Sequence, residues 1–278
     1  MPSDTDAVEN ELPDEAAGRA PGRGRLTGRR VVVVGAGTRR TPDPTAPPGN
    51  GRAISILAAR EGASVACVDI DADAAAQTCE LIAGEGGKAH TVVADATREA
   101  DCERLVDESA TALGGIDGLV LNVGAGLGRG LAGTSPDEWD RTFALNTRAH
   151  FLVCRAAADR LDAGSSIVFV SSLAGLQPGS GIPAYDSSKA ALAGLCRHVA
   201  REGARRRIRA NVVAPGLIDT PLGRLATEGR PSRGRARVPL GRQGTPWEVA
   251  YVAVFLLSRE SSYVTGQTLL ADGGLHTL

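Results

Sequence analysis

From Arg30 to the C-terminal end, short runs of valine, isoleucine and leucine alternate with longer segments whose apolar residues recur every three or four positions. The runs predict strands over residues 30–35, 64–69, 89–94, 117–122, 166–171, 208–213 and 267–271. The spaced segments predict helices over 51–61, 73–84, 99–113, 136–161, 184–204 and 246–258. Runs such as Val31 to Val34 and Ile167 to Val170 are apolar at every position. Strands of that kind are buried on both faces, so helices must cover both sides of the sheet. Strand and helix in alternation make a parallel sheet, and the expected fold class is α/β: a doubly wound (Rossmann) three-layer sandwich of about seven parallel strands.

The first predicted strand runs into Gly35-Ala36-Gly37, and the next helix begins at Gly49-Asn50-Gly51. In doubly wound sheets this turn receives a dinucleotide pyrophosphate, through backbone N–H groups and the positive end of the helix. Here the loop over 36–48 is expanded. Its segment Thr38 to Pro48 has four prolines and no large apolar residue, which predicts a stiff, extended surface segment. Arg39 and Arg40 fall within plausible reach of the phosphates. Either the extra length is simply tolerated, since added loop costs little closure entropy, or it clamps a bound dinucleotide. The second strand ends in Asp69, followed by uncharged Ile70. A carboxylate there accepts both ribose hydroxyls and repels a 2'-phosphate, favouring NAD, with NADP less favoured. The competing reading is a turn-starting aspartate ahead of a helix capped around Asp71 to Asp73.

The chain has 278 residues and a formal charge of -1, so one large domain is expected, with no general electrostatic case for nucleic acid or membrane. Residues 1–24 are acidic and then Gly/Arg-rich, which predicts a disordered N-terminal tail before a single domain over 25–278. Cys67, Cys79, Cys102, Cys154 and Cys196 are odd in number and lie far apart in apolar segments. They read as reduced thiols of a cytoplasmic protein, without disulfides or a metal site. The four histidines are equally scattered.

The segment Ser166 to Lys189 carries the candidate chemistry. Tyr185 and Lys189 stand four apart at the start of a predicted helix, so their side chains share a face. A fixed ammonium beside a phenol favours the phenolate and draws its pKa toward a working pH. Only two of the 31 basic residues are lysines, and one is Lys189. Ser172 ends the preceding strand, and its neighbour Ser171 is expected to point to the opposite face.

With these motifs in place, the chain from about Arg25 to Leu278 resembles the short-chain dehydrogenase/reductases, single-domain Rossmann enzymes. The resemblance implies a catalytic tetrad of Asn146, Ser172, Tyr185 and Lys189, with Asn146 holding a water in a proton relay. It implies that the cofactor is held by Gly35, Gly37, Arg39, Gly49, Asn50, Gly51, Asp69, Ile70, Asp95, Ala96, Asn122 and Gly124. Tyr185, Lys189, Pro215, Gly216, Ile218 and Thr220 complete that set, Pro215 and Gly216 flanking the nicotinamide. Two positions depart from the family pattern: Leu121 replaces the first asparagine of an Asn-Asn-Ala-Gly segment, and Val123 its alanine.

The expected activity is hydride transfer between a nicotinamide cofactor and a ketone or secondary alcohol, with Tyr185 as general acid/base. An epimerase or dehydratase with tightly bound NAD, and a non-catalytic dinucleotide sensor, are the alternatives. Residues 216–245 would form a substrate flap. It carries Arg224, Arg230, Arg233, Arg235, Arg237 and Arg242, which suit either an acidic substrate or a solvated surface. The segments 136–161 and 184–204 have apolar residues to spare, and the resemblance implies that they pair across a two-fold axis in a homotetramer or homodimer.

Overall fold

The computed structural model describes residues 12–43, 45–227 and 238–278. Seven parallel strands form one sheet in the order β3-β2-β1-β4-β5-β6-β7. They are β1 (Arg30–Val34), β2 (Ser64–Asp69), β3 (Lys88–Val93), β4 (Ile116–Leu121), β5 (Leu161–Val170), β6 (Arg209–Pro215) and β7 (Thr268–Ala271). The order reverses between β1 and β4, so the loops leaving those strands diverge and open a crevice at their carboxyl ends.

Helices lie on both faces, as the apolar runs require. One layer holds α4 (Glu99–Leu113), α5 (Pro136–Phe143), α6 (Ala149–Ala157) and α7 (Pro183–Gly203). The other holds α2 (Asn50–Arg60), α3 (Ala72–Gly84) and α9 (Pro246–Leu257), with α1 (Asp14–Ala17) and α8 (Pro221–Thr227) as short additions. Alternate residues of one strand feed two cores: Val32 and Val34 face one, Val31 and Val33 the other. Leu121 is fully buried beside Phe169, so this departure from the family pattern fills the core.

Two expectations need correction. Of the tail expected over 1–24, residues 1–11 lie outside the described residues, and residues 12–24 do not form a solvated tail. Ala16, Ala20 and Leu26 are buried, Thr245 donates to the Ala16 carbonyl at 2.6 Å, and Arg60 donates to that of Gly18 at 2.6 Å. The guanidinium of Arg60 also lies 4.9 Å from the Trp247 ring. A few small apolar residues anchored by hydrogen bonds do what a long apolar stripe does elsewhere. The helix expected over 136–161 ends at Ala157, and β5 begins at Leu161, five residues early, because buried Leu161 pairs with Ile116 ahead of a register shift.

Candidate active site

Helix α7 opens with Pro183 in its first turn, a position where the missing N–H costs nothing. Tyr185 and Lys189 then fall one turn apart, with the Lys189 ammonium 5.9 Å from the centre of the Tyr185 ring. Lys189 is buried and donates to the Val170 carbonyl at 3.0 Å. Burial disfavours its charge and lowers its pKa from 10.5 to about 8. Gly124 backs it so closely that an added Cβ would sit 2.8 Å from the lysine nitrogen and 3.2 Å from Asn146 Oδ1. Only glycine leaves the ammonium in place.

The two serines at the end of β5 divide as alternation requires. Ser171 is buried and donates to the Lys189 carbonyl at 2.8 Å, tying strand to helix. Ser172 is half-buried in extended backbone at the end of the strand, and its hydroxyl accepts from the Ala174 N–H at 3.2 Å.

Asn146 lies in a π-helical stretch, Ala144–Arg148, between α5 and α6. Such wide turns inside α-helices gather at functional sites. Its Oδ1 accepts from Ala125 N–H at 2.8 Å, and its Nδ2 donates to the Ala125 carbonyl at 2.8 Å and to Ser188 Oγ at 2.9 Å. Ser188 in turn donates to the Tyr185 carbonyl at 2.9 Å. The asparagine side chain therefore splices the loop after β4 to the helix that carries the tyrosine. The role of Ser188 was missed in the sequence, although it lies three residues after Tyr185.

His150 was also missed. It is fully buried one turn beyond Asn146, with Nε2 donating to the Val123 carbonyl at 3.1 Å and Nδ1 without a partner. Burial, and then the nearby Lys189 charge, push its pKa down to about 3, so the ring is neutral at any working pH.

The positions expected to hold the cofactor lie in and around the loops at the carboxyl ends of the strands. Gly35 has φ +84°, and an added Cβ at Gly51 would lie 1.8 Å from the Gly35 carbonyl oxygen, so α2 begins directly on the first turn. Gly37 donates its N–H to Asp69 Oδ2 at 2.9 Å, and Asn122 Nδ2 donates to the Gly35 carbonyl at 2.8 Å. Asn50 Oδ1 is buried without a hydrogen-bond partner at the N-terminus of α2. The close-packed glycines and the open helix N-terminus fit a dinucleotide pyrophosphate, whereas the Asn50 oxygen is an acceptor and offers an anion nothing.

The turn reading of the strand-end aspartate holds: Asp69 Oδ1 accepts from the Asp71 N–H at 3.1 Å, and Asp71 caps α3. Ile70 is exposed beside it. Asp95 accepts from Thr97 at 2.9 Å, with Ala96 buried behind it. Pro215 ends β6, Gly216 packs on Asp272, and Gly49 donates its N–H to the Thr38 hydroxyl oxygen at 3.0 Å. Ile218 and Thr220 are buried just beyond.

The expanded loop is engaged elsewhere than expected. Arg40 pairs with Asp71 at 3.2 Å and Asp73 at 2.8 Å, while Arg39 is exposed. Asp43 meets Arg224 of α8 at 2.5 Å, and Arg224 also holds Asp219 at 2.6 Å. The loop after β1 and the start of the flap after β6 are thereby clasped across the crevice mouth. Arg242 pairs with Glu248 at 2.7 Å, so both described flap arginines are internally satisfied. Arg230, Arg233, Arg235 and Arg237 lie outside the described residues.

Among the described residues there is no group of three or more metal-ligating side chains, the cysteines are free, and no helix is long and apolar enough to cross a membrane.

Residues 46–276 match a family model described as enoyl-(acyl carrier protein) reductase. The chain is 36% identical over 263 residues to a mouse (3R)-3-hydroxyacyl-CoA dehydrogenase, covering 90% of this chain and 97% of the relative. It is also 36% identical to the 3-oxoacyl-(acyl-carrier-protein) reductase FabG of Thermotoga maritima, covering 90% and 99%. Among solved structures, a short-chain dehydrogenase/reductase from Burkholderia xenovorans aligns with a TM-score of 0.84 at 34% identity, over 92% and 99% of the two chains. A 7α-hydroxysteroid dehydrogenase complexed with NADH and 7-oxo glycochenodeoxycholic acid aligns at 0.82 and 30% identity, over 95% and 98%.

Proposed function

The chain belongs to the short-chain dehydrogenase/reductase family and is an oxidoreductase acting on CH–OH or keto groups, and from that premise we propose that it uses NAD(H) with Tyr185 as its general acid/base. The observation that carries this reading is the buried Lys189 ammonium, fixed under the Tyr185 ring by the Val170 carbonyl and the absence of a side chain at Gly124.

A bound nicotinamide would supply or accept the hydride. In reduction, Tyr185 donates its phenolic proton to the substrate oxygen; in oxidation, its phenolate takes the alcohol proton. Ser172 binds the same oxygen and stabilises charge developing there. Lys189 holds the phenolate electrostatically and bonds the nicotinamide ribose. Asn146 orders the Ala125 turn and α7, and a water held by its helical stretch passes protons outward. The glycine cradle and the N-terminus of α2 take the pyrophosphate, and Asp69 takes the adenosine ribose.

The expanded loop supports a clamp, through a different arginine from the one expected. With Arg40 held by Asp71 and Asp73, the bridge from Asp43 to Arg224 is what restrains the crevice mouth. A bound dinucleotide then leaves only after that pair parts.

The test is steady-state turnover with NADH and a panel of 3-ketoacyl thioesters and cyclic ketones. Tyr185→Phe should lose at least about a thousandfold in kcat while NADH affinity stays within a few-fold. Retained turnover in that variant overturns the assignment. NADH binding without consumption of any carbonyl would favour a sensor.

A further inference from the structure

Around the amino-terminal ends of β1, β5 and β6, the end of the sheet away from the active site, four arginines line a cavity of about 400 Å³. Arg29 precedes β1, Arg207 and Arg209 lie at the start of β6, and Arg259 follows α9; Gly164 and Ser262 complete the rim. No carboxylate lines the cavity. The volume falls within the range of small-ligand sites.

Part of this charge is structural. Arg29 donates to the Leu257 carbonyl at 2.8 Å, and Arg209 to the Ser258 carbonyl at 3.0 Å and to Ser261 Oγ at 2.8 Å. These bonds satisfy the C-terminal end of α9, where cations are favoured. They do not account for the rest. Arg29 Nε is buried without a hydrogen-bond partner, and its nearest carboxylate, Asp117 at 3.5 Å, is already bonded twice by Arg30. Among the described residues no carboxylate lies in ion-pair distance of Arg207, Arg209 or Arg259. Burial lowers the pKa of both Arg29 and Arg209; the Asp117 charge offsets part of this at Arg29, and neighbouring arginines lower each further. Arg207 is also the one described non-glycine residue with positive φ, at 57°. Strain of this sort collects at functional positions.

We propose that this cavity is a binding site for a small phosphorylated metabolite with at least two negative charges. Guanidinium forks match phosphoryl oxygens bidentately, and several forks around one space suit a multiply charged group. Arg209 and Arg29 form the floor, and Arg207 and Arg259 close over the ligand from the rim. The site is separate from the dinucleotide cradle: the seven residues of β6 span about 20 Å between Arg209 and Pro215. Its occupant therefore acts on this enzyme from the far end of the strand that leads into the substrate flap.

The probe is pyrophosphate, titrated calorimetrically at about 0.15 M ionic strength with the dinucleotide cradle filled by saturating NADH. Arg207→Ala/Arg259→Ala is the variant, because neither residue ties α9 and the fold should survive, which thermal unfolding checks. Saturable sub-millimolar binding in the parent, weakened about tenfold or more in the variant with NADH affinity unchanged, is the expected result. Absence of saturable binding, or equal binding in the variant, overturns the proposal. Equal binding of citrate would overturn its phosphoryl selectivity. Mass spectrometry of anions retained through purification separates a metabolite from inorganic phosphate.

Discussion

The guanidinium of Arg224, in the first helix of the flap, holds the carboxylate of Asp43 at 2.5 Å, 181 positions earlier in the chain. The same guanidinium is held in place by Asp219. An exposed pair of this kind contributes little to stability, so its effect should be kinetic. Asp43→Asn and Arg224→Ala should each raise the NADH release rate about three- to tenfold, with thermal unfolding unchanged within a degree or two. Stopped-flow displacement of NADH measures it. Release rates equal to the parent's would show that the loop does not clamp.

Gly124 offers a test of the lysine's seat. Gly124→Ala places a methyl group 2.8 Å from the Lys189 nitrogen. Either the ammonium leaves the Val170 carbonyl or the loop after β4 withdraws. Turnover should fall about a hundredfold and NADH should bind more weakly, while the unfolding midpoint moves far less than for a core substitution. Kinetics and calorimetry on one preparation separate the two effects.

Lysine burial also predicts a pH dependence. The folded pKa of Lys189 is about 8 against 10.5, so between those values the unfolded chain binds the extra proton. Stability of the cofactor-free protein, relative to Lys189→Met, should therefore rise with pH across that window. The gain is about 3 kcal/mol at 1.36 kcal/mol per pKa unit. Urea unfolding of both proteins at pH 7.5 and 10.5 gives the difference.

His150 acts at the acidic end. Its folded pKa of about 3 lies below the unfolded 6.5, so protonation favours unfolding. Its stabilising effect is complete above 6.5 and lost as pH falls toward 3. His150→Leu should flatten the acid limb of the stability profile while losing the bond to the Val123 carbonyl. NMR should show no titration of the His150 ring between pH 5 and 8.

The NAD preference proposed for Asp69 can be tested directly. With Arg40 engaged by Asp71 and Asp73, Arg39 is the arginine of this loop left open to a 2'-phosphate. We expect NAD to be preferred by about a hundredfold in kcat/KM, and Asp69→Ser to erode that ratio at least tenfold. Equal efficiency of the two cofactors in the parent enzyme would refute it.

Much of this was legible in the residues. Continuous apolar strands announced a sheet buried on both faces, and the spacing of Tyr185 and Lys189 announced a shared helix face. What escaped reading has a common cause: partners distant in sequence. The first part of β5, from Leu161 to Ser165, is polar enough to pass for loop, and pairing with Ile116 makes it strand. The clasp between Asp43 and Arg224 leaves no local pattern. His150 sits in a plausible amphipathic helix, and nothing nearby says that its ring is buried against Val123. The wide turn at Asn146 comes with bonds to Ala125 and Ser188, partners that no window around residue 146 contains.

The docked segment around α1 has a consequence for how the protein is made. Ala16 finds its hydrogen-bond partner in Thr245, 229 residues later, and Gly18 packs against Trp247. The first described residues to leave the ribosome are thus among the last to settle. Until α9 has been synthesised, the Trp247 surface does not exist and the segment around α1 has only its contacts with the end of α2 to hold it. A nascent chain stalled before residue 245 should leave this segment open to protease, and release of the completed chain should protect it.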